Sequence, residues 1–430
     1  MKKILLPIIG IICTMTLSAE TDYTHGLSIW FDQPTSLKGR AVWYGGRPDL
    51  WTGKGKPENA GDLKGIAYDG NGLKRNKPET AGGVNWNYDQ EWESKSLPIG
   101  NGSIGANIMG SVEAERITFN EKTLWRGGPN TSGGAEYYWN VNKKSAHLLK
   151  DIRQAFIDGD DAKAAKLTRE NFNSVASYEY GDEKPFRFGN FTTMGEFYIE
   201  TGHSLVGMGD YKRALSLDSA LAVVQYEKDG INYTRRYFTS YPANAMVMRY
   251  SADKPGMQNL TLSYAPNPVS EGTIEKEGDN ELVWKAKLDN NGMQYTVRIR
   301  VEAKGGNKSI ENGKIQISGA DEVCFYITGD TDYKINFAPD FNDPKAYVGV
   351  NPDETTAEWI KNAAAKGYDK LFQEHYNDYA ALFNRMELNI NPNAPVTFEF
   401  PGIYNLPTNK RLESYRRGKP DYRLEQLYFQ

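Results

Sequence analysis

The sequence predicts a mainly β protein: a large antiparallel β-sandwich that carries one helical insertion and is followed by helices. Three observations predict it. Between residues 190 and 335 apolar and polar residues alternate with period two, strictly in Tyr295-Thr-Val-Arg-Ile-Arg-Val301 and again in Leu260-Thr-Leu-Ser-Tyr264. Asp229-Gly230, Asn291-Gly292 and Asn312-Gly313 punctuate this region as tight-turn signals, and many short strands joined this way stack as two sheets. The period becomes helical between Lys143 and Phe172, and again after Pro352.

At the N-terminus, Lys2-Lys3, the apolar run Ile4 to Leu17 and the closing Leu17-Ser18-Ala19 read as a secretory signal cleaved after Ala19. The run is too short for a membrane span. Residues 1–19 are therefore a leader, and the expected destination is periplasmic or secreted. Cys13 lies within the leader, and Ile12 before it is wrong for a lipoprotein signal. Cys324 is then left alone in Val323-Cys-Phe-Tyr-Ile327, where a buried, inert thiol is expected and no disulfide framework is possible.

The sandwich domain is assigned to residues 20–350. Leu27-Ser-Ile-Trp-Phe-Asp-Gln-Pro34 supplies a first strand, and residues 38–90, rich in Gly, Pro, Asn and Lys, read as a long decorated loop. Short strands with glycine turns fill Ser96 to Asn130. Leu148, Leu149, Ile152, Ala155 and Phe156 make a helical stripe that Gly159 closes, and Asp160 can cap a second helix. A helical linker is assigned to 351–390: Thr355 and Glu358 form a capping box for one helix bearing Trp359, Ile360, Ala363, Ala364, Leu371, Phe372, Leu382, Phe383 and Met386. Residues 391–430 begin a further domain, with Thr408 capping a short helix and Asp421 starting another. Leu424, Leu427 and Tyr428 form a stripe expected to be exposed and to promote self-association.

Composition bounds the function. The 430 residues are 39% hydrophobic and carry 42 glycines, as a folded, loop-rich protein does. A net charge of −4 gives no reason to expect nucleic acid or an anionic membrane as partner. The nine Trp and 27 Tyr suit β cores and carbohydrate-handling surfaces. His25, His147, His203 and His375 are scattered without metal-ligand spacing, so neither metal nor cofactor is expected; His147 and Asp151 can pair along a helix.

Gly100-Asn-Gly-Ser-Ile-Gly105 satisfies G-x-G-x-x-G, with Glu121 about 20 residues on as a dinucleotide fingerprint requires. That motif works only between a strand and a helix, whereas Ala106-Asn-Ile-Met-Gly110 reads as a strand and no βαβ rhythm follows. A glycine-rich turn on a β scaffold is the better reading. Asn101 also stands where a nucleophile elbow needs glycine.

Several blocks, in order, resemble the N-terminal part of glycoside hydrolase family 95. They are Ser96-Leu-Pro-Ile-Gly-Asn-Gly-Ser-Ile-Gly-Ala106, Ile117-Thr-Phe-Asn-Glu-Lys-Thr-Leu-Trp-Arg-Gly-Gly-Pro129 and Gly195-Glu-Phe-Tyr198. Arg213-Ala-Leu-Ser-Leu-Asp218, Tyr233-Thr-Arg-Arg-Tyr-Phe238, Asp378-Tyr-Ala-Ala-Leu-Phe-Asn-Arg385, Leu406-Pro-Thr-Asn-Lys-Arg-Leu412 and Leu427-Tyr-Phe-Gln430 add to them. The long segment 38–90 departs from the shorter members.

The resemblance implies a super-sandwich, a helical linker and the first helices of an incomplete (α/α)6 barrel, on which the sandwich packs. It implies an α-L-fucosidase, or for some members an α-L-galactosidase, that inverts configuration: a glutamic acid protonates the leaving oxygen while asparagines backed by an aspartate activate water. Those residues belong to the barrel beyond Gln430, so no catalytic residue is carried over and the 430 residues alone are expected to be inactive. The expected partner is a fucosylated oligosaccharide or another plant or host glycan. A stand-alone carbohydrate-binding or purely structural sandwich is the alternative.

Within the resembling blocks Glu121 and Glu196 are the best-placed carboxylates, structural hydrogen bonding being the ordinary role of both. Asn101, Asn120, Glu121 and Trp125 are the substrate-binding candidates, as parts of a loop facing the barrel's mouth. Turn chemistry and sandwich packing compete with that reading, and Asn101-Gly102 is a ready tight turn. Tyr137-Tyr-Trp139 is either a buried aromatic cluster or a sugar-stacking group.

Overall fold

Period-two alternation becomes two antiparallel sheets whose apolar faces meet. In the computed structural model residues 27–35, 90–126, 145–172, 190–267, 270–288, 291–340, 343, 345–388 and 406–430 are described. The leader, most of segment 38–90, His25 and Tyr137-Tyr-Trp139 lie outside them.

The first sheet runs in the order β1 (Ser28–Phe31), β8 (Met208–Ser216), β9 (Leu221–Lys228), β10 (Ile231–Ser240), β11 (Ala245–Ala252), β18 (Glu322–Thr331), β15 (Gln294–Lys304), β14 (Glu281–Leu288) and β13 (Ser270–Glu277). The second runs β16 (Asn307–Glu311), β17 (Lys314–Ala320), β12 (Gln258–Pro266), β7 (Gly195–Glu200), β4 (Ala114–Glu121), β3 (Ile104–Ile108) and β2 (Leu97–Gly100). A separate ribbon pairs β5 (Trp125–Arg126) with β6 (Asn190–Phe191).

Two of the three turn signals form hairpins of two residues. Asp229 and Gly230 take φ of 54° and 72°, and Asn312 and Gly313 take 51° and 71°, the left-handed pair that a type I′ turn demands. The core between the sheets joins Ile117 and Phe119 of β4 and Phe197 of β7 to Tyr237, Met248, Val297 and Phe325 of the facing sheet. Glu115 and Arg235 form a buried ion pair inside it. The mainly β sandwich with a helical insertion is thus the observed architecture.

A short helix, α1 (Gln90–Lys95), precedes β2, and the insertion is α2 (Leu149–Ile157), entered through a 3-10 turn at Ser145–Leu148, and α3 (Asp161–Asn171), whose N-cap Asp160 accepts from Lys163 N. Ile152, Ala155, Ala164 and Leu167 form a small core of their own. The stripe read from the sequence is only half buried: Leu149 and Phe156 are exposed, because among the described residues the buried core of the two helices is formed by the helices themselves.

The linker is two helices, α4 (Pro352–Lys366) and α5 (Tyr368–Phe383), where the pattern suggested one. Gly367 at φ 74° breaks the run. The capping box also gives way. Asn351 is the N-cap, its side chain accepting from Asp353 N, Pro352 takes the first helical position, and the Thr355 hydroxyl turns back to Asn351 O. Ile360, Ala363, Tyr368 and Leu371 pack on Phe238, Val247, Cys324 and Tyr326, so the middle of the first sheet is buried on both faces. Cys324 is buried, as its apolar run requires.

Helices α6 (Thr408–Arg416) and α7 (Tyr422–Phe429) follow. Thr408 does not cap α6; Pro407 holds that position, and the Thr408 hydroxyl accepts from Trp30 N, tying the helix to β1. Asp421 does cap α7, accepting from Leu424 N, while its two oxygens take a bidentate bond from Arg411 of α6. That lock turns the expected exposed stripe inward: Leu424 and Leu427 are buried and only Tyr428, 94% exposed, faces solvent. Among the described residues no helix is long and apolar enough to cross a membrane.

Candidate functional site

Strand register brings the candidate residues to one end of the sandwich. Gly100 pairs with Gly105 and Ile104 with Glu121, so the β2–β3 turn and the end of β4 share an edge. From the facing sheet the β10–β11 turn, where Ser240 pairs with Ala245, and the end of β18, where Tyr295 pairs with Thr331, arrive at the same edge.

Asn101 stitches this end together. Its Oδ1 accepts from Ser103 N at 2.9 Å and Ile104 N at 2.7 Å, closing an Asx turn with Gly102 at φ 85°. Its Nδ2 reaches across the sandwich to Ser240 O at 2.9 Å and Asn244 Oδ1 at 3.3 Å. The glycine motif is therefore a β-hairpin turn.

Glu121 is buried beside it, on the inward face of β4. Its Oε2 accepts from Thr123 N at 2.8 Å and Thr123 Oγ1 at 2.5 Å. Because Thr123 spends its proton on the carboxylate, Thr331 Oγ1, 2.5 Å away, donates to Thr123 and accepts in turn from Tyr333 N. One chain of hydrogen bonds thus runs from β18 to a carboxylate on β4. Burial raises the pKa of Glu121 above the usual carboxylate range.

Asp330 stands at the same end. Burial first, then the charges of Glu121 and Asp332, push its carboxyl up to about 6, with a hydrogen bond from Thr331 N opposing them. Burial likewise raises Asp332. This acidic group was not singled out from the sequence; the only signal was Asp330-Thr-Asp332 closing a strand, and its meeting with Glu121 is long-range.

Trp125 follows on the ribbon, 45% exposed, with its ring centroid 5.7 Å from that of Phe191 at 68°. Phe191 had no sequence signal, being brought to Trp125 only by the pairing of β5 with β6. Asn120 occupies the alternate face of β4, and its Oδ1 is buried without a hydrogen-bond partner.

Glu196 lies elsewhere. On the outer face of the second sheet it receives Arg116 Nε at 3.0 Å and Nη2 at 2.5 Å, together with the Tyr198 hydroxyl, all three side chains fully buried. Among the described residues no group of three or more His, Cys, Asp or Glu is placed to hold a metal ion. His203 meets Tyr226 edge-on and Tyr233 at a tilt, and His375 packs on Phe238 with Nε2 at 3.2 Å from Ser219 O and Ala220 O. The end of the sandwich thus gathers a carboxyl pushed up to about 6, a buried glutamate held by Thr123 and an exposed aromatic pair.

Comparison with known proteins covers most of the chain. The glycosyl hydrolase family 65 N-terminal domain matches residues 73–336, and the glycosyl hydrolase family 95 catalytic domain matches residues 367–430. "Probable alpha-fucosidase A" of Aspergillus niger is 28% identical over 352 residues, covering 78% of this chain and 40% of that protein. "Alpha-L-fucosidase 2" of Arabidopsis thaliana is 25% identical over 347 residues, covering 75% and 38%. The chain therefore spans about 40% of the length of these curated relatives. A bacterial glucoamylase solved with acarbose is 12% identical with a TM-score of 0.26, covering 50% of this chain and 34% of that one, too loose a likeness to weigh.

Proposed function

The chain belongs to glycoside hydrolase family 95, with an N-terminal domain of the type described for family 65 ahead of the family 95 catalytic region, and on that footing we propose that it is the front part of an exported, inverting α-L-fucosidase. The observation that carries the reading is the likeness to α-fucosidases along three quarters of the chain. The sandwich then serves as the rigid platform of the enzyme, with its Asn101–Glu121–Trp125 end as a recognition surface. The acid and the water-activating groups come from the barrel, separated by the room an inverting attack needs for its water. The 430 residues by themselves have no hydrolytic activity in this reading.

The test is release of L-fucose from a fucosylated oligosaccharide by the product of the complete reading frame, beside the 430-residue chain. Release by the former with inversion at the anomeric carbon is expected, and none by the latter. Preference for an α-L-galactoside would replace the sugar in this reading. Turnover by the 430 residues alone would sink the inactivity. Export is tested by N-terminal sequencing of the protein outside the cytoplasm, which is expected to begin at Glu20.

A further inference from the structure

Exposed aromatic side chains are usually free to turn, whereas Trp125 is held on three sides while its ring stays open. The indole Nε1 donates to Lys122 O at 2.9 Å, its own carbonyl accepts from Asn291 Nδ2 at 2.7 Å, and Phe191 abuts its edge from the paired strand. With its only polar group spent inside the chain, Trp125 shows the solvent an apolar π face. Phe191, 53% exposed, adds a second face inclined at 68°, so the pair forms a fixed aromatic corner. The entropy of ordering these rings is met by the fold before any ligand arrives.

We propose that the Trp125–Phe191 corner is a pyranoside-binding platform belonging to the sandwich and separate from the catalytic chemistry. A pyranose ring presents C–H bonds on one face and hydroxyls around its rim, and electron-poor C–H groups pack well on the negative face of an aromatic ring. Fucose suits the corner further: its axial 4-hydroxyl leaves H3, H4 and H5 on one face, and its methyl group reaches the second ring. Among the described residues the patch is two half-open rings bordered by the exposed Lys122, too small for a stable protein partner, which needs about 800 Å² on each side. Tyr241, also exposed, lies on the β10–β11 turn, and Ile335 and Phe337 lie together in the stretch after β18. Only the choice of fucose rests on the fucosidase reading; the platform itself does not.

The experiment is titration of the 430-residue chain with a fucosyllactose, and with lactose beside it, by calorimetry and saturation-transfer NMR. Saturable binding at millimolar concentration is expected, weakened about tenfold or more in Trp125→Ala and in Phe191→Ala and largely kept in Trp125→Phe. Circular dichroism and Tm should be unchanged in all three, and Tyr241→Ala should bind as the parent does. Absence of saturable binding by the folded chain overturns the proposal. So does binding that survives both alanine variants, or a loss of Tm in them that makes the rings packing groups. Fucose release by the product of the complete reading frame is read separately. Hydrolysis without binding here sinks the platform alone, and binding without hydrolysis sinks the fucosidase reading alone.

Discussion

Glu115 on β4 and Arg235 on β10 meet 3.3 Å apart between the two sheets, neither reached by solvent. The carboxylate also accepts from Gly110 N at 2.7 Å and the Tyr237 hydroxyl at 3.0 Å, while the guanidinium donates to Ser111 O, Val112 O and the Tyr226 hydroxyl. Every charge is matched, so removing one partner strands the other. Arg235→Ala and Glu115→Ala are each expected to cost about 3–5 kcal/mol in denaturant unfolding. A loss below about 1 kcal/mol would mean that the pair does not hold the sheets together.

Acidity acts on the sandwich end in a defined direction. Asp330 has an ordinary value of 3.8 and is pushed up to about 6 by burial, then by the neighbouring Glu121 and Asp332. A carboxyl raised on folding makes the folded chain hold the extra proton between those values, so its contribution to stability falls as pH rises from 3.8 to 6. Asp330→Asn should flatten Tm against pH across that window and raise Tm at neutral pH by about 1–3 °C. A slope unchanged by the substitution would assign the proton elsewhere.

The glycine of the Gly195-Glu-Phe-Tyr198 block answers to a backbone constraint. Gly195 has a φ of 147°, and a Cβ there would stand 2.5 Å from Ala265 O and 2.9 Å from the Tyr264 hydroxyl. Gly195→Ala should therefore destabilise the sandwich by about 2 kcal/mol or more, or abolish soluble expression. A well-folded variant of parental Tm would show that β7 and β12 can part without cost.

Cys324 tests the packing of the linker. Its thiol is pushed up to about 12, chiefly by burial under α4 and α5. In native protein at mildly alkaline pH the peptide containing Cys324 should resist a thiol-labelling reagent, and denaturant should make it react fully. Rapid native labelling would mean that the helices leave the sheet readily.

Arg298 anchors α4 from the same face of the sheet. It donates to Glu277 and Glu281 at 2.6 and 2.8 Å and to Asp353, in the first turn of α4, at 2.5 Å. Arg298→Ala should cost on the order of 1–3 kcal/mol and speed amide exchange in α4 ahead of the strands. Uniform exchange in parent and variant would contradict this anchoring.

Local rules read much of this from the chain. Asp229-Gly230 and Asn312-Gly313 are type I′ turns because few residues tolerate two successive left-handed conformations, and Asp160 and Asp421 cap helices because their side chains reach the free N–H groups nearby. Where the structure departs from one local signal, a rival of equal local merit won. Asn351 with Pro352 outbid Thr355 and Glu358 as a start signal, and Gly367 divided a stripe that otherwise ran on. Thr408 has the local pattern of a cap, but its hydroxyl accepts from Trp30 N, 378 residues away.

The sequence by itself determined the sandwich, its insertion, its hairpins and its family, since alternation, turn residues and ordered motif blocks are properties of neighbouring residues. Only the tertiary structure decided that Asn101 would bridge the sheets, that Glu121 would face Thr331 and Asp330, that Phe191 would close on Trp125, and that Arg411 would fold α7 over its own leucines. The physical reason is that each of these contacts depends on strand register or helix docking summed over the whole fold, which no window along the chain contains.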